Sequence, residues 1–203
     1  MLSTLFSDPL VFLVYALSLV IAISIHEFAH AAVADRLGDP TARAMGRLTL
    51  NPLAHLDPLG TVALLLVGFG WGRPVPFDPY NLRSPRRDGA LIALAGPVSN
   101  LLLALALSLA LHFFTSPLVH LFITPIVMIN VTLAVFNFVP VFPLDGEKIL
   151  LGLLPPNLVA EFAGVMQQYG TIILILLIFP FGGGSAISSL ISPVINGILR
   201  LLL

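Results

Sequence analysis

The stretch that decides the fold runs from Pro9 to Ala34 and reads PLVFLVYALSLVIAISIHEFAHAAVA. As an α-helix it would be about 39 Å long, enough to cross the hydrocarbon of a bilayer with some tilt. Met1 to Asp8, which precede it, hold no Lys or Arg, so the basic region of a removable secretory signal is missing. The stretch therefore reads as a resident membrane helix, and His26, Glu27 and His30 lie inside it.

The whole chain agrees with a lipid surrounding. Of its 203 residues 58% are hydrophobic and only 9% are charged, against roughly 25% charged in an ordinary soluble domain. A soluble globule could not hide so much apolar surface. A disordered chain needs the opposite composition. Nine Lys and Arg against ten Asp and Glu leave a net charge of -1, which excludes the basic field of a nucleic-acid binder. The absence of Cys removes disulfides, thiolate zinc sites and cysteine nucleophiles together. The length suits a single membrane domain, residues 1–203, without an appended soluble module.

Three further stretches are long enough to span: about Ala90 to Phe114, Leu118 to Phe142, and Phe162 to Pro180. Ala186 to Leu203 is marginal and could span or lie at the interface. Leu59 to Trp71 is strongly apolar but too short for an ordinary span, so it reads as a re-entrant or short buried segment. The expected fold is an all-α polytopic membrane protein of about four to six transmembrane segments. Thr41 to Leu50 and Trp71 to Tyr80 are poor helix candidates and read as strands or extended loops. Seven of the nine basic residues (Arg36, Arg43, Arg47, Arg73, Arg83, Arg86 and Arg87) fall between the first two spans. The positive-inside rule puts that region in the cytoplasm and the N-terminus outside.

An ionisable group in a membrane span is expensive, so it is by default a functional-site hypothesis. His26-Glu27-Phe28-Ala29-His30 is H-E-x-x-H. On a helix the two histidines are one turn apart on one face, so both imidazoles can reach one metal ion. Glu27 points beside them, close enough to act on water at the metal without being a ligand. Catalytic zinc needs a third protein ligand and an open position. Without Cys, the candidates are the other His, Asp and Glu. His112 and His120 flank the outer ends of their spans, and His55 reads as a surface or turn histidine. Asp145 follows Asn137-Phe-Val-Pro140-Val-Phe-Pro143-Leu144, where two prolines prevent a regular helix. Irregular backbone at membrane depth must line a cavity or lie buried in protein. The charge rule brings Asp145 to the same face as the histidines provided that Leu59 to Trp71 does not cross. Its plainer reading is a cap for the helix beginning near Glu147.

These residues resemble the motifs of the site-2 protease family, the intramembrane zinc metalloproteases. The resemblance rests on H-E-x-x-H at His26 to His30 and on the Asn137 to Gly146 run, Asn-x-x-Pro-x-x-Pro-Leu-Asp-Gly. Gly96-Pro97-Val98-Ser99-Asn100, in the span between them, is similar to the family's small-residue motif. It covers about residues 10–150, the catalytic core, and leaves C-terminal helices from about 160 to 203 outside it. It implies one Zn²⁺ per chain bound by His26, His30 and Asp145, with Glu27 as general base. It also implies a role for Asn137 at the site, stabilising the oxyanion or holding the substrate backbone. The alternative for Asn137 is a buried amide that satisfies backbone freed by Pro140. Gly96 and Asn100 would serve helix packing and hydrogen bonding between spans. The substrate would be a membrane-embedded protein helix, and Thr41 to Leu50 or Trp71 to Tyr80 would offer it a strand edge. The compact form, without a PDZ or nucleotide-sensing domain, suggests a prokaryotic cell membrane with the site toward the cytoplasm. Two competing readings are a metal-binding transporter or channel and an inactive membrane scaffold. The lack of paired broken helices argues against the first, and the intact Glu27 against the second.

Overall fold

The computed structural model describes residues 7–67, 70–114, 116–180 and 184–203. Four helices are long and apolar enough to cross a membrane. They are α1 (Pro9–Arg36), α4 (Pro85–Leu111), α5 (Pro117–Asn137) and α7 (Pro156–Ile178). Between them lie the short helices α2 (Thr41–Ala44), α3 (Pro58–Val67) and α6 (Asp145–Leu153), and α8 (Ala186–Leu202) ends the chain. The chain is an all-α polytopic membrane protein, as its composition requires.

Helix boundaries follow local chemistry more than hydropathy. Pro at the first helical position starts α1, α4, α5 and α7, where its missing N–H costs nothing. Asp8 caps α1 by accepting from the Val11 amide at 3.1 Å. The second span begins at Pro85, ahead of the expected Ala90, because Asp88 accepts the Ser84 amide at 2.9 Å and carries a polar first turn. The third ends at Asn137, ahead of the expected Phe142, because Pro140 and Pro143 cannot continue it. The fourth begins at Pro156 instead of Phe162, because proline at the first helical position starts it without any side-chain cap.

Helices α1, α4 and α5 form the centre, with α6 against α4 and α8 against α5. Ala22, Ala31 and Ala34 of α1 are fully buried. Small side chains allow the close backbone approach that holds helices together in lipid, where no hydrophobic force does so. Farther along, Ala104, Val127, Val131, Val135 and Ile195 make a second packed cluster.

The region between α1 and α4 is not made of strands. Among the described residues only two isolated β-bridges occur, Leu56 with Gly72 and Pro180 with Ser185. Thr41 to Ala44 is helical, against expectation, while 71–78 is extended. Asp39, fully buried, ties this region together. Its carboxylate accepts from the Thr41 amide and hydroxyl, the Asp78 amide and the Asn81 side chain. Burial acts to raise its pKa, but these hydrogen bonds outweigh it and hold the carboxyl below the usual value.

Helix α3 is 10 residues long, about 15 Å, or half a hydrocarbon core. Leu56 and Gly72, on either side of it, pair antiparallel, and the Arg73 amide donates to the His55 carbonyl at 2.7 Å. The excursion thus leaves and returns at one place, as a re-entrant segment must. Gly68 and Phe69, within the expected Leu59 to Trp71 segment, lie outside the described residues.

Two outcomes check this arrangement. The chain has no native Cys, so Leu53→Cys and Tyr80→Cys, both at exposed positions, should react with an impermeant maleimide from the same side of a sealed vesicle. Labelling from opposite sides would show that α3 belongs to a crossing. Asp39→Ala, which strands four donors, should lower stability by about 1–3 kcal/mol. Because the folded pKa lies below the unfolded one, the wild-type advantage is full above about pH 4 and lost as pH falls through the folded value. Unfolding of both proteins across pH 3 to 7 would test the sign.

Candidate active site

His26 and His30 lie one turn apart on the buried face of α1, and Asp145 is the first residue of α6. Asp145 Oδ2 lies 3.0 Å from His26 Nε2 and 3.2 Å from His30 Nε2. The two imidazoles meet edge to face with centroids 4.6 Å apart. Asp145 does not cap its own helix; its carboxylate faces the histidines instead.

The hydrogen bonds behind the rings decide what this cluster offers. His30 Nδ1 lies 2.6 Å from the Ile92 carbonyl, which can only accept, so Nδ1 carries the proton. His26 Nδ1 lies 2.7 Å from Asn100 Oδ1. The Asn100 amide cannot be reversed, because its Nδ2 donates to the Ala22 carbonyl at 3.0 Å and to Asn130 Oδ1 at 2.7 Å. Asn130 is held in turn by donating to the Ile126 carbonyl at 2.8 Å. Both imidazoles, when neutral, therefore present a bare Nε2 lone pair. Asp145 Oδ2 is buried between them and accepts no hydrogen bond. Three electron-rich atoms within 4.8 Å of one another face a common point. Without a cation there, such an arrangement is repulsive and costly in apolar surroundings. The donor set, two imidazoles and a carboxylate, suits zinc.

Gly96 of α4 lies directly beneath the rings. A Cβ at this position would stand 2.4 Å from His30 Nε2 and 2.6 Å from His26 Cε1. The small residue thus makes room for the cluster itself and not only for helix packing. Gly146 similarly lets α6 begin against the broken segment, since a Cβ there would meet the Val139 carbonyl at 2.3 Å.

The cluster forms part of the wall of a cavity of about 880 Å³. Beyond the cluster the lining is mostly apolar, with Leu19 and Ile23 of α1, Leu133 of α5 and Ile175 of α7. Glu27 lines the same cavity, and its Oε2 accepts from the Val75 amide at 3.0 Å. Asn137 lines it too, while its Nδ2 donates to the Leu133 carbonyl at 3.0 Å, one turn back in α5. That carbonyl is not the one Pro140 frees.

Two expectations need correction. His55 does end a tight turn (Pro52–Ala54), but it is fully buried rather than at the surface, with Nε2 donating to the Thr49 carbonyl at 2.7 Å. The extended chain returning past α3 bonds to its backbone carbonyl through the Arg73 amide. The expected strand edges also fail. Thr41 to Leu50 begins as a helix and does not line the cavity. In 73–78 the amides of Arg73, Val75 and Asp78 are spent on His55, Glu27 and Asp39, and Pro74 and Pro76 have none. Little is left to donate to an added strand.

Sequence reasoning did not find the ring partners of the histidines. Asn100 and Asn130 carry a signal, as amides in apolar spans. The Ile92 carbonyl and the Val75 amide carry none, because any residue supplies them.

Fold and cluster define a polytopic α-helical membrane protein with a preformed His–His–Asp cluster and an adjacent carboxylate on a largely apolar cavity. Comparison with known proteins agrees. YwhC of Bacillus subtilis, provisionally named a zinc metalloprotease, is 39% identical over 177 residues, 82% of this chain and 80% of that protein. Rip2 of Mycolicibacterium smegmatis, with the same provisional name, is 32% identical over 84% of this chain and 68% of its own length. MJ0611 of Methanocaldococcus jannaschii, likewise so named, is 31% identical over 72% of this chain and 75% of its own. No family model matches the chain, and no solved structure does. The chain belongs to the compact site-2 protease-like family of zinc metalloproteases.

Gly96→Ala should displace both imidazoles while leaving the spans intact. Zinc affinity, measured by competition with a chromophoric chelator, should fall about 10- to 100-fold. Asn100→Leu should lose affinity in the same range by releasing the His26 tautomer. Unchanged affinity in both would show that neither residue supports the cluster.

Proposed function

We propose that the chain, as a single membrane domain, is an intramembrane zinc endopeptidase. It hydrolyses peptide bonds in membrane-embedded protein helices. His26, His30 and Asp145 hold one Zn²⁺ per chain, and Glu27 is the general base. The observation that carries this reading is the convergence of two imidazole nitrogens and a carboxylate oxygen on one point, beside a second carboxylate that is not among them.

Zinc in such a site supplies Lewis acidity, polarising a carbonyl and making water acidic near neutral pH. Glu27 takes the proton from the attacking water and delivers it to the departing amine. Asn100 and the Ile92 carbonyl keep both imidazoles in the ligating tautomer. Asn137, on the cavity wall, is placed to hold the substrate backbone or steady developing negative charge. The apolar lining fits the side chains of a membrane helix, which must unwind locally before its carbonyl is exposed. Arginines concentrated between α1 and α4 favour a site toward the cytoplasm. A transport path would need polar groups through the depth of the membrane, whereas the cavity is largely apolar away from the cluster.

Glu27→Gln should keep zinc at the wild-type stoichiometry and lose cleavage of a single-span test substrate by about 10²- to 10⁴-fold. Retained cleavage would remove Glu27 as the base. Asp145→Ala should lose zinc under dialysis that leaves the wild type loaded, and zinc held as tightly as before would remove Asp145 as a ligand.

A further inference from the structure

Glu27 is fixed by α1 only at its backbone. Three side-chain torsions separate its carboxylate from that anchor, so the helix alone does not place the proton acceptor. The contact that does so is the Val75 amide, 3.0 Å from Oε2. Val75 lies on a strap, Trp71 to Asp78, with prolines at 74 and 76 and, apart from the isolated bridge at Gly72, no helical or sheet structure. The Arg73 and Asp78 amides tie its ends to His55 and Asp39, and something else must hold the stretch around Val75.

That something is Arg47. Its guanidinium is buried, with 5% of the residue exposed. One terminal nitrogen donates to the Arg73 carbonyl and, at 3.3 Å, to the Pro74 carbonyl. Both carbonyls immediately precede Val75. Nε of Arg47 has no partner, and among the described residues Arg47 makes no ion pair within 4.0 Å. A buried cation placed on neutral carbonyls is costly, so its placement calls for a reason. Burial acts most strongly against its charge, with the Glu27 carboxylate in its favour and Arg73 against it. The local backbone is shaped for this inward turn. Gly46 takes φ +67, a left-handed conformation suited to glycine, and the Arg47 amide closes the turn onto the Ala42 carbonyl at 2.8 Å.

We propose that Arg47 is a positioning residue for the reaction: by clamping the Arg73 and Pro74 carbonyls it sets the strap so that the Val75 amide holds Glu27 toward the cluster. This rests on the reading of Glu27 as the base. The strap then serves the enzyme's own carboxylate and not the substrate's backbone, in keeping with its spent donors. Arg suits the task better than Lys, because a weakly hydrated guanidinium is buried at lower cost than a strongly hydrated ammonium.

The test uses the full chain in detergent or nanodiscs. Arg47→Ala should keep wild-type zinc content and a KM within about 2-fold, while kcat falls about 10- to 100-fold from a displaced base. Arg47→Lys should recover part of kcat. Val75→Pro deletes the amide hydrogen, leaves Arg47 untouched, and should show the same split. Combining it with Arg47→Ala should cost no more than the worse single change, since both act through one bond. Should Arg47→Ala fail to fold, Val75→Pro and Arg47→Lys carry the decision. Unchanged kcat, a loss confined to KM, loss of zinc, or additive effects would each overturn the proposal. Hydrogen exchange at Val75, without metal or substrate, gives a readout free of activity. Exchange at least 10-fold faster in Arg47→Ala supports the clamp and unchanged exchange overturns it, even if the wild type neither binds zinc nor cleaves and the functional reading fails instead.

Discussion

Three lone pairs aimed at one point from apolar surroundings set the terms for the rest of this structure. When both imidazoles are neutral, His26 Nε2, His30 Nε2 and Asp145 Oδ2 have no proton to share, because the imidazole protons are drawn to the far side by Asn100 and the Ile92 carbonyl. Left alone, such a cluster would relax by rotating a ring or withdrawing the carboxylate. It persists because each component is held from behind. The hydrogen bonds from Asn100 to Ala22 and Asn130 join α1, α4 and α5 around the first ring. Bonds of this kind contribute only about 0.6 kcal/mol each inside membranes. Their value here is directional: they choose a tautomer and a ring orientation.

The same demand explains the irregular parts of the chain. The break after α5, at Pro140 and Pro143, carries the chain into a new helix whose first residue is Asp145. Gly146 lets that helix begin hard against the Phe138 and Val139 carbonyls, and Gly96 leaves room beneath the rings. Both glycines thus lie against the cluster or against the break that leads to Asp145.

Glu27 is governed by a different part of the molecule. Its partner is backbone from the strap beyond α3, which is anchored by Asp39, His55 and Arg47. The His–His–Asp cluster and Glu27 are therefore supported by separate networks, one within the helical bundle and one in the segment between α1 and α4. Metal binding and proton transfer should be separable by mutation for that reason.

Much of this was legible in the residues. Spans follow from apolar length, and a helical H-E-x-x-H puts two imidazoles on one face by local geometry alone. Prolines mark the break that leads to Asp145. Hydropathy sets two helix starts too late, at Ala90 and Phe162, because proline, joined in the first case by the Asp88 carboxylate, extends each helix toward its N-terminus. Tertiary structure alone decided the tautomers, the burial of His55, the closed edge of the strap and the role open to Arg47. The physical reason is range and identity. His26 and Asn100 are 74 residues apart and Glu27 and Val75 are 48 apart, and half of the decisive partners are backbone atoms that every residue type supplies alike.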